Sequence, residues 1–316
     1  MPDRQQVLFA RFTLVIAAIL WSSGSFFTRV LTAETPFALN DPKLTPVQIA
    51  LWRGLFAGIA LIPLLRRVDL RFHPLMPWMV GCFAVMCGLY LSALGLGNAA
   101  NAILLQNTAP VWVYFIGVYL LGQQPDRGAL RSTLLGLFGA LLIIVGNWPH
   151  ADNDEDQSTQ MMILMMGAGS GLTYAGVVLF LNQLRMQSSA WLMVLNMIGS
   201  AICLGLFVAI QIGPTAFVDW LLTPTRDQLL FMSVFGVVQM AAPYWLFARG
   251  LRYVTALEAG IITLLEPVLN PIWAYLITDG REKPTIWTFL GGLVLLAALV
   301  WRYIPTRSSS GNAAKR

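Results

Sequence analysis

Residues 256–277 read ALEAGIITLLEPVLNPIWAYLI, an apolar stretch with one central carboxylate, Glu266, and a proline directly after it. An earlier stretch, AANAILLQNTAPVWVYFIGVYL at 99–120, aligns with it at a constant offset of 157 residues. A proline inside a helix removes a hydrogen bond and clashes with the preceding turn. The alignment therefore predicts two equivalent, interrupted helices. Four identities support it: Ala99 with Ala256, Ala102 with Ala259, Pro110 with Pro267, and Val111 with Val268.

The composition indicates a membrane protein. Of the 316 residues, 57% are hydrophobic and 11% charged, against roughly 45–50% and about 25% in soluble domains. The 20 basic and 15 acidic residues are too few for a soluble surface, and they cluster between long apolar runs. The basic residues form no stripe or patch, so no nucleic-acid partner is expected. The cysteines lie in apolar runs and are interpreted as small apolar side chains: Cys82, Cys87 and Cys203.

Ten stretches satisfy the rule that a membrane-spanning helix needs about 20 mainly apolar residues. The first resembles a signal peptide, because Arg4 and Arg11 precede its apolar core, but nine further spans follow and we interpret it as a helix. The fold class predicted is an all-α integral membrane protein. The ten spans are 11–31, 46–65, 75–94, 100–121, 132–148, 160–181, 190–212, 228–248, 255–277 and 285–304.

Lysines and arginines between the spans predict the orientation, because they are retained on the cytoplasmic side. With the N-terminus inside, fourteen basic residues fall in cytoplasmic segments, and Arg53 lies within a span. Both termini are therefore expected in the cytoplasm. Five basic residues fall on the opposite side: Arg29, Lys43, Arg226, Arg281 and Lys283.

The ten spans divide into two sets of five around a polar acidic linker. Because five is odd, the second set begins on the opposite face of the membrane, so two halves of like fold form an inverted repeat. The predicted boundaries are 1–149 for the first five-helix repeat, 150–159 for the external linker, 160–304 for the second repeat and 305–316 for a cytoplasmic tail.

Four motifs in this order resemble the drug/metabolite transporter superfamily, in its EamA-like branch of ten helices and two repeats. They are AAILWSSGSFFTRV (17–30), ALWRGLFAGIALIP (50–63), QNTAPVWVYFIGVYLLG (106–122) and LLEPVLNPIWAYL (264–276). The resemblance covers about 11–304. It implies a carrier of small metabolites, frequently amino acids, that works by alternating access in a bacterial inner membrane. Members often end the fourth helix with Leu-Gly-Glu, whereas this chain has LGQQP at 121–125, and Glu282 stands near the equivalent place in the second half.

Glu266 lies near the middle of its span, where a charge costs at least ~2.5–3.5 kcal/mol. It should therefore face the interior, be paired, or be protonated. One interpretation is a cavity-lining group that couples transport to protons. The other is a protonated glutamate that hydrogen-bonds backbone freed by Pro267.

Arg53 is the only basic residue predicted inside a span. Its guanidinium could bind a substrate carboxylate, pair with a carboxylate of the protein, or extend toward the outer headgroups. Glu258 lies at the start of the ninth span, where capping of the helix is the favoured interpretation.

Further polar or amphipathic side chains lie within spans, and interhelical packing is the default interpretation for most of them. Gln239 and Trp112 belong to this class. Glycine pairs at small-xxx-small spacing, Gly54 with Gly58 and Gly167 with Gly171, predict close helix packing. The candidates retained as lining a substrate cavity are Trp21, Arg53, Tyr90, Asn101, Gln106, Asn107, Tyr174, Asn196, Tyr244, Glu266 and Asn270.

A membrane enzyme and a channel are the alternatives. The two histidines, His73 and His150, fall in loops, the chain has no HExxH or GxSxG motif and no Walker A loop, and no filter motif is visible. These absences disfavour both alternatives, and the resemblance implies a secondary transporter of a small polar metabolite, an amino acid or related compound, working as an exporter. No cofactor or metal is expected, and the chain should be a monomer or a weak homodimer in the lipid bilayer.

Overall fold

A computed structural model of the chain describes residues 4–122, 124, 127–147, 154–250, 253–254, 259 and 262–303. This part of the chain is helical and contains no strand. The helices are α1 (Arg4–Ser22), α2 (Gly24–Thr32), α3 (Pro46–Leu61), α4 (Met76–Leu96), α5 (Ala99–Gln106), α6 (Ala109–Tyr119), α7 (Arg127–Gly146), α8 (Asp154–Gln183), α9 (Ser189–Ile212), α10 (Pro214–Leu222), α11 (Arg226–Phe235), α12 (Ala242–Gly250), α13 (Leu265–Ile277) and α14 (Ile286–Tyr303).

Seven helical segments of the described chain are long and apolar enough to cross a membrane. Two shorter apolar helices, Leu130–Gly146 and Ile286–Trp301, fall below that length, and the span predicted at 255–277 is described only in part. The chain is therefore a multi-pass membrane protein, and the count of ten remains a prediction. The seven segments are Arg4–Thr32, Pro46–Leu64, Met76–Leu96, Ala99–Tyr119, Gln157–Gln183, Ser189–Ile212 and Arg226–Phe247.

The outer surfaces of these helices are apolar. Phe12, Val145 and Ile210 are among many large hydrophobic side chains that are exposed. Apolar side chains on an outer surface are more stable against lipid tails than against water. The backbone polar groups inside a helix are paired within the segment, as a membrane requires.

Helices from the two halves of the chain pack directly on each other: α3 against α9, α4 against α8, and α7 against α14. Glycines allow the closest approaches. A Cβ at Gly139 of α7 would lie 2.8 Å from the carbonyl oxygen of Gly291 in α14. The predicted close packing at Gly54 is also present, since a Cβ there would lie 3.2 Å from the Met197 carbonyl oxygen.

Three membrane segments are interrupted rather than continuous. Ser23 separates α1 from α2, residues 107–108 separate α5 from α6, and a turn at Leu264 precedes α13. Pro110 and Pro267 each lie in the first turn of the helix that follows the break, so the chain turns before the proline and not at it. A fourth irregularity is a π-helix at Gly236–Ala241, between α11 and α12.

The predicted linker is shorter than expected. Residues 154–159 already belong to α8. Residues 148–153 and the tail at 304–316 lie outside the described chain, as does Glu258.

Candidate functional site

Five polar residues from four segments meet beside the helix interruptions, and we call them the central cluster: Arg53, Tyr90, Gln239, Glu266 and Asn270. The segments are α3, α4, the π-helix and α13. All five lie within apolar stretches, so the cluster is a polar island inside the helix bundle.

Arg53 is buried, with 2% of its surface exposed. Its Nη1 donates to Oε1 of Gln239 at 3.0 Å, and its Nη2 lies 3.9 Å from Sγ of Cys87. The guanidinium carbon lies 5.1 Å from the ring centre of Phe235. Among the described residues no carboxylate pairs with Arg53, and its Nε has no acceptor. The burial shows that the side chain does not extend toward the headgroups.

Gln239 connects Arg53 to the break between α1 and α2. Its Oε1 accepts from Arg53, and its Nε2 donates to the carbonyl oxygen of Trp21 at 3.2 Å. The π-helix that carries it packs tightly on α3, because a Cβ at Gly236 would lie 2.5 Å from the Arg53 carbonyl oxygen. π-helical turns inside α-helices occur frequently at functional sites. The sequence did not single out Gln239 as a site residue, because nothing in its local pattern marks the π-helix.

Asn270 joins α13 to α4 and α2. Its side chain is fully buried, its Nδ2 donates to the Tyr90 hydroxyl at 3.4 Å, and its backbone carbonyl accepts from the Ser25 hydroxyl at 2.5 Å. The Asn270 Oδ1 is buried without a partner in the described chain. Leaving a buried amide oxygen without a hydrogen bond costs free energy. Asn270 therefore offers an acceptor that a bound ligand or water could satisfy.

Glu266 lies one helical turn before Asn270, and Trp273 lies a further turn along, so the three share one face of α13. Trp273 Nε1 donates to the Ser22 hydroxyl at 2.9 Å, which turns this face toward α1. Glu266 is half-buried, and within the described chain its carboxylate has no hydrogen-bond or ion-pair partner. Tyr90 and Tyr244 both lie within electrostatic reach of Glu266 and of Arg53.

Three aromatic side chains, which we call the aromatic plug, lie next to the central cluster. The Trp21 ring centre is 5.1 Å from that of Tyr244 and 5.2 Å from that of Phe247. Tyr174 lies within electrostatic reach of Tyr244.

A cavity of about 430 Å³ opens beyond the plug, at the N-terminal end of α1, and we call it the vestibule. Arg249 stands at its wall and stacks on Trp245, 3.9 Å from the ring centre. Thr13 also lines it, eight residues before Trp21, which corresponds to about 12 Å along a helix. The lining residues are Gln5, Gln6, Phe9, Ala10, Thr13, Arg249 and Tyr253.

An ion pair lies at the opposite end of the α1 and α2 segment and joins α2 to the residues after α13. Arg29 of α2 donates from Nε to Oε2 of Glu282 at 2.6 Å and from Nη2 to Oε1 at 2.8 Å. The same carboxylate accepts from the backbone amide of Ala99, at the N-terminus of α5. Arg29 also donates to the carbonyl oxygens of Gly95 and Gly97 at the end of α4. We call the pair of Arg29 and Glu282 the lock.

The structure places other sequence candidates outside the central cluster. Asn101 accepts from the Thr288 hydroxyl at 2.6 Å, in a polar network between α5 and α14. Asn107 donates to the Ile103 carbonyl oxygen at 2.8 Å and closes its own helix end.

Pro110 lines a small cavity of about 20 Å³ with residues of α7 and α14. Gln106, at the end of α5, is half-buried, and Asn196 of α9 is buried with an unpaired Oδ1 within the described chain.

Comparison with protein families identifies the chain. The model of the EamA-like transporter family matches residues 8–145 and 161–303. The chain belongs to this family. Membership of a family of transporters indicates a membrane transporter of the drug/metabolite superfamily and not an enzyme. The unmatched gap between the two ranges coincides with the acidic linker.

Family relatives extend over almost the full length. An uncharacterized transporter of Archaeoglobus fulgidus is 27% identical over 293 residues, covering 92% of this chain and 95% of the relative. One of Bacillus subtilis is 24% identical over 312 residues, covering 95% and 96%. The riboflavin transporter ImpX of Fusobacterium nucleatum is 24% identical over 280 residues, covering 85% and 89%. The fold is similar to that of a protein with a solved crystal structure, at a TM-score of 0.58 and 14% identity, over 95% of this chain and 97% of the other.

Proposed function

We propose that this protein is a secondary carrier that moves a small polar metabolite, an amino acid or a related compound, by alternating access, and that it works as an exporter. The observation that carries the proposal is the central cluster itself. Within the described residues, a buried arginine without a counter-ion, a carboxylate without a partner and an amide with a free oxygen lie together where helices are interrupted. Polar groups at membrane depth are costly, and in transporters they mark the substrate or ion pathway.

The arrangement along the bundle supports alternating access. The lock joins segments at one end, the central cluster lies between, and the aromatic plug separates the cluster from the vestibule at the other end. A carrier needs a closed barrier on each side of its site in turn. In this arrangement the lock is the barrier on one side and the plug is the barrier on the other.

Ten spans in two inverted repeats account for the contacts between helix ends. The C-terminal ends of α2, α4 and α13 meet the N-terminus of α5 around the lock. The N-terminus of α1, Arg249 of α12 and Tyr253 meet at the vestibule. On this scheme both termini and the vestibule are cytoplasmic and the lock is external, in the inner membrane of a bacterium.

Glu266 is the coupling group in this proposal. Its carboxylate, which has no ion-pair partner among the described residues, can take up or release a proton as the site changes the side to which it opens. Arg53, Tyr90, Asn270, Trp21 and Tyr244 then form the wall that contacts the substrate. The protein acts as a monomer or a weak homodimer.

Flux through purified protein in proteoliposomes tests the proposal. The compounds to assay are amino acids, nucleosides and riboflavin, the last because one relative carries that name. Saturable uptake that is accelerated by unlabelled compound on the far side supports a carrier. Conductance that does not saturate would indicate a channel, and a covalently altered product would indicate an enzyme. Either of these two results contradicts the proposal.

A further inference from the structure

The central cluster contains a positive charge that nothing in the described chain neutralises. Arg53 is 2% exposed, and its described contacts are with neutral groups: the Gln239 amide, the Cys87 thiol and the Phe235 ring. A buried ion without a partner is strongly destabilising. A chain that keeps such a cation at this depth gains stability whenever an anion binds beside it.

The guanidinium also has donors to spare. Gln239 occupies Nη1, the thiol of Cys87 is a weak acceptor for Nη2, and Nε has no acceptor in the described chain. Nε and Nη2 lie side by side on one edge of the planar group, and this edge matches the two oxygens of a carboxylate. Arg29 binds a carboxylate in this way, since its Nε and Nη2 both donate to the carboxylate oxygens of Glu282.

We propose that the transported compound carries a carboxylate, which binds the Nε and Nη2 edge of Arg53 while Gln239 holds the opposite side of the guanidinium. This inference rests on the proposed carrier function and adds the chemical class of the substrate. Gln239 is a positioning residue, because it links the bound arginine to the Trp21 carbonyl oxygen beside the break between α1 and α2. Docking of a carboxylate therefore acts on the segment that must move if the site is to change sides.

The position of Glu266 fits a substrate with a second, positive group. Tyr90 and Tyr244 each lie near enough to both Arg53 and Glu266 to interact with the two charged groups, and Arg53 and Glu266 form no ion pair within the described chain. A carboxylate at Arg53 would leave an ammonium group free to approach Glu266. The carboxylate is the required feature in this inference and the ammonium group is not.

Ligand binding to the purified full-length protein, read as thermal stabilisation, tests the proposal without transport. The probes are matched pairs that differ in the carboxylate: L-leucine with L-leucinamide, L-phenylalanine with L-phenylalaninamide, and nicotinate with nicotinamide. N-acetyl-L-leucine keeps the carboxylate and removes the ammonium. We expect at least one acid to stabilise the protein and its amide to do so at least about tenfold more weakly.

Variants test whether the preference for acids over amides depends on Arg53. Arg53→Lys keeps the charge but loses the paired donors, so binding of the acid should weaken about tenfold, and Arg53→Gln should abolish it. Gln239→Leu should weaken binding while preserving the preference for the acid. Arg281→Gln, which removes an exposed cation outside the cluster, should bind like the wild type. If Arg53→Gln does not fold, the proposal is still tested by comparing the binding of acids and amides to the wild type and to Arg53→Lys.

Equal binding of acids and amides, or no binding by any acid in the panel, overturns the inference, as does full binding by Arg53→Lys. These results are separable from failure of the carrier proposal. Acid-selective binding without exchange in proteoliposomes would contradict the carrier function but support the carboxylate site. Saturable exchange of compounds that bind equally well as acids and as amides would support the carrier function but contradict the carboxylate site.

Discussion

Arg29 and Glu282 form a two-pronged ion pair, with Nε–Oε2 at 2.6 Å and Nη2–Oε1 at 2.8 Å, between residues 253 positions apart. Their side chains are 9% and 14% exposed. The carboxylate also accepts from the Ala99 amide, where the helix dipole of α5 favours a negative charge. One glutamate thus holds together α2, α5 and the loop after α13, and in the proposed mechanism the lock closes this end of the bundle.

Glu282→Gln should open the end of the helix bundle at which the lock lies, which we call the lock face. The amide loses the charge that both Arg29 and the α5 N-terminus stabilise, and hydrogen bonds to charged groups contribute about 1.5–3 kcal/mol. The native Cys87, beside Arg53, is the reporter in a protein whose other cysteines are replaced by serine. We expect a membrane-impermeant maleimide applied at the lock face to label Cys87 about tenfold faster in Glu282→Gln.

Lys283→Gln is the matched control for this experiment. It changes the charge next to Glu282, but only its backbone oxygen makes a described contact, with Asn98. Its labelling rate should equal that of the parent. Equal rates in Glu282→Gln and Lys283→Gln would show that the ion pair does not close this end.

Tyr244→Ala should open the other end. The substitution removes one ring of the aromatic plug, whose centre lies 5.1 Å from that of Trp21. Labelling of Cys87 from the vestibule face should then accelerate by about tenfold or more. Tyr253→Ala, which removes a ring from the vestibule wall but not from the plug, should leave the rate near that of the parent. A similar acceleration in both variants would contradict the assignment of the plug.

Glu266→Gln should abolish the dependence of flux on a pH gradient. The variant keeps the shape of the side chain but cannot exchange a proton. Folded, inserted protein is compared with the wild type in proteoliposomes, with and without an imposed gradient. Unchanged flux together with unchanged pH dependence would reject the coupling role.

Gly139→Ala should destabilise the packing of α7 on α14. The added Cβ would lie 2.8 Å from both the Gly291 carbonyl oxygen and the Leu295 amide nitrogen, and overpacking costs about 1–3 kcal/mol. Gly81→Ala is the matched control, because no atom lies within 4 Å of its added Cβ. Thermal unfolding in detergent should show a lower midpoint only for Gly139→Ala. An unchanged midpoint would mean that the two helices do not pack as closely as described.

The sequence predicted the class of fold and several members of the central cluster for a physical reason. Membrane helices need long apolar runs, so a charged or amide side chain inside one, such as Arg53, Glu266 or Asn270, stands out without any structure. The prolines likewise indicated breaks near residues 110 and 267. The structure describes those breaks two to three residues before the prolines, at Thr108 and at Leu264.

The partnerships within the site could not be predicted from local pattern. Gln239 and Arg53 are 186 positions apart, and their contact depends on a π-helix for which the sequence has no clear signal. Asn101 illustrates the opposite difficulty. Its position in an apolar run makes it a candidate for lining a cavity, and only the structure shows that its side chain accepts a hydrogen bond from Thr288 of α14. Polarity at depth predicts that a partner exists, while only the packing of distant segments determines which partner it is.

The most direct test of alternating access compares labelling of Cys87 from the two faces of the membrane in one variant. In right-side-out and inside-out vesicles that carry Glu282→Gln, we expect the rate to rise at the lock face and to fall at the vestibule face, because opening one barrier requires the other to close. Rates that rise together at both faces, or labelling confined to one face in every variant, would contradict the account.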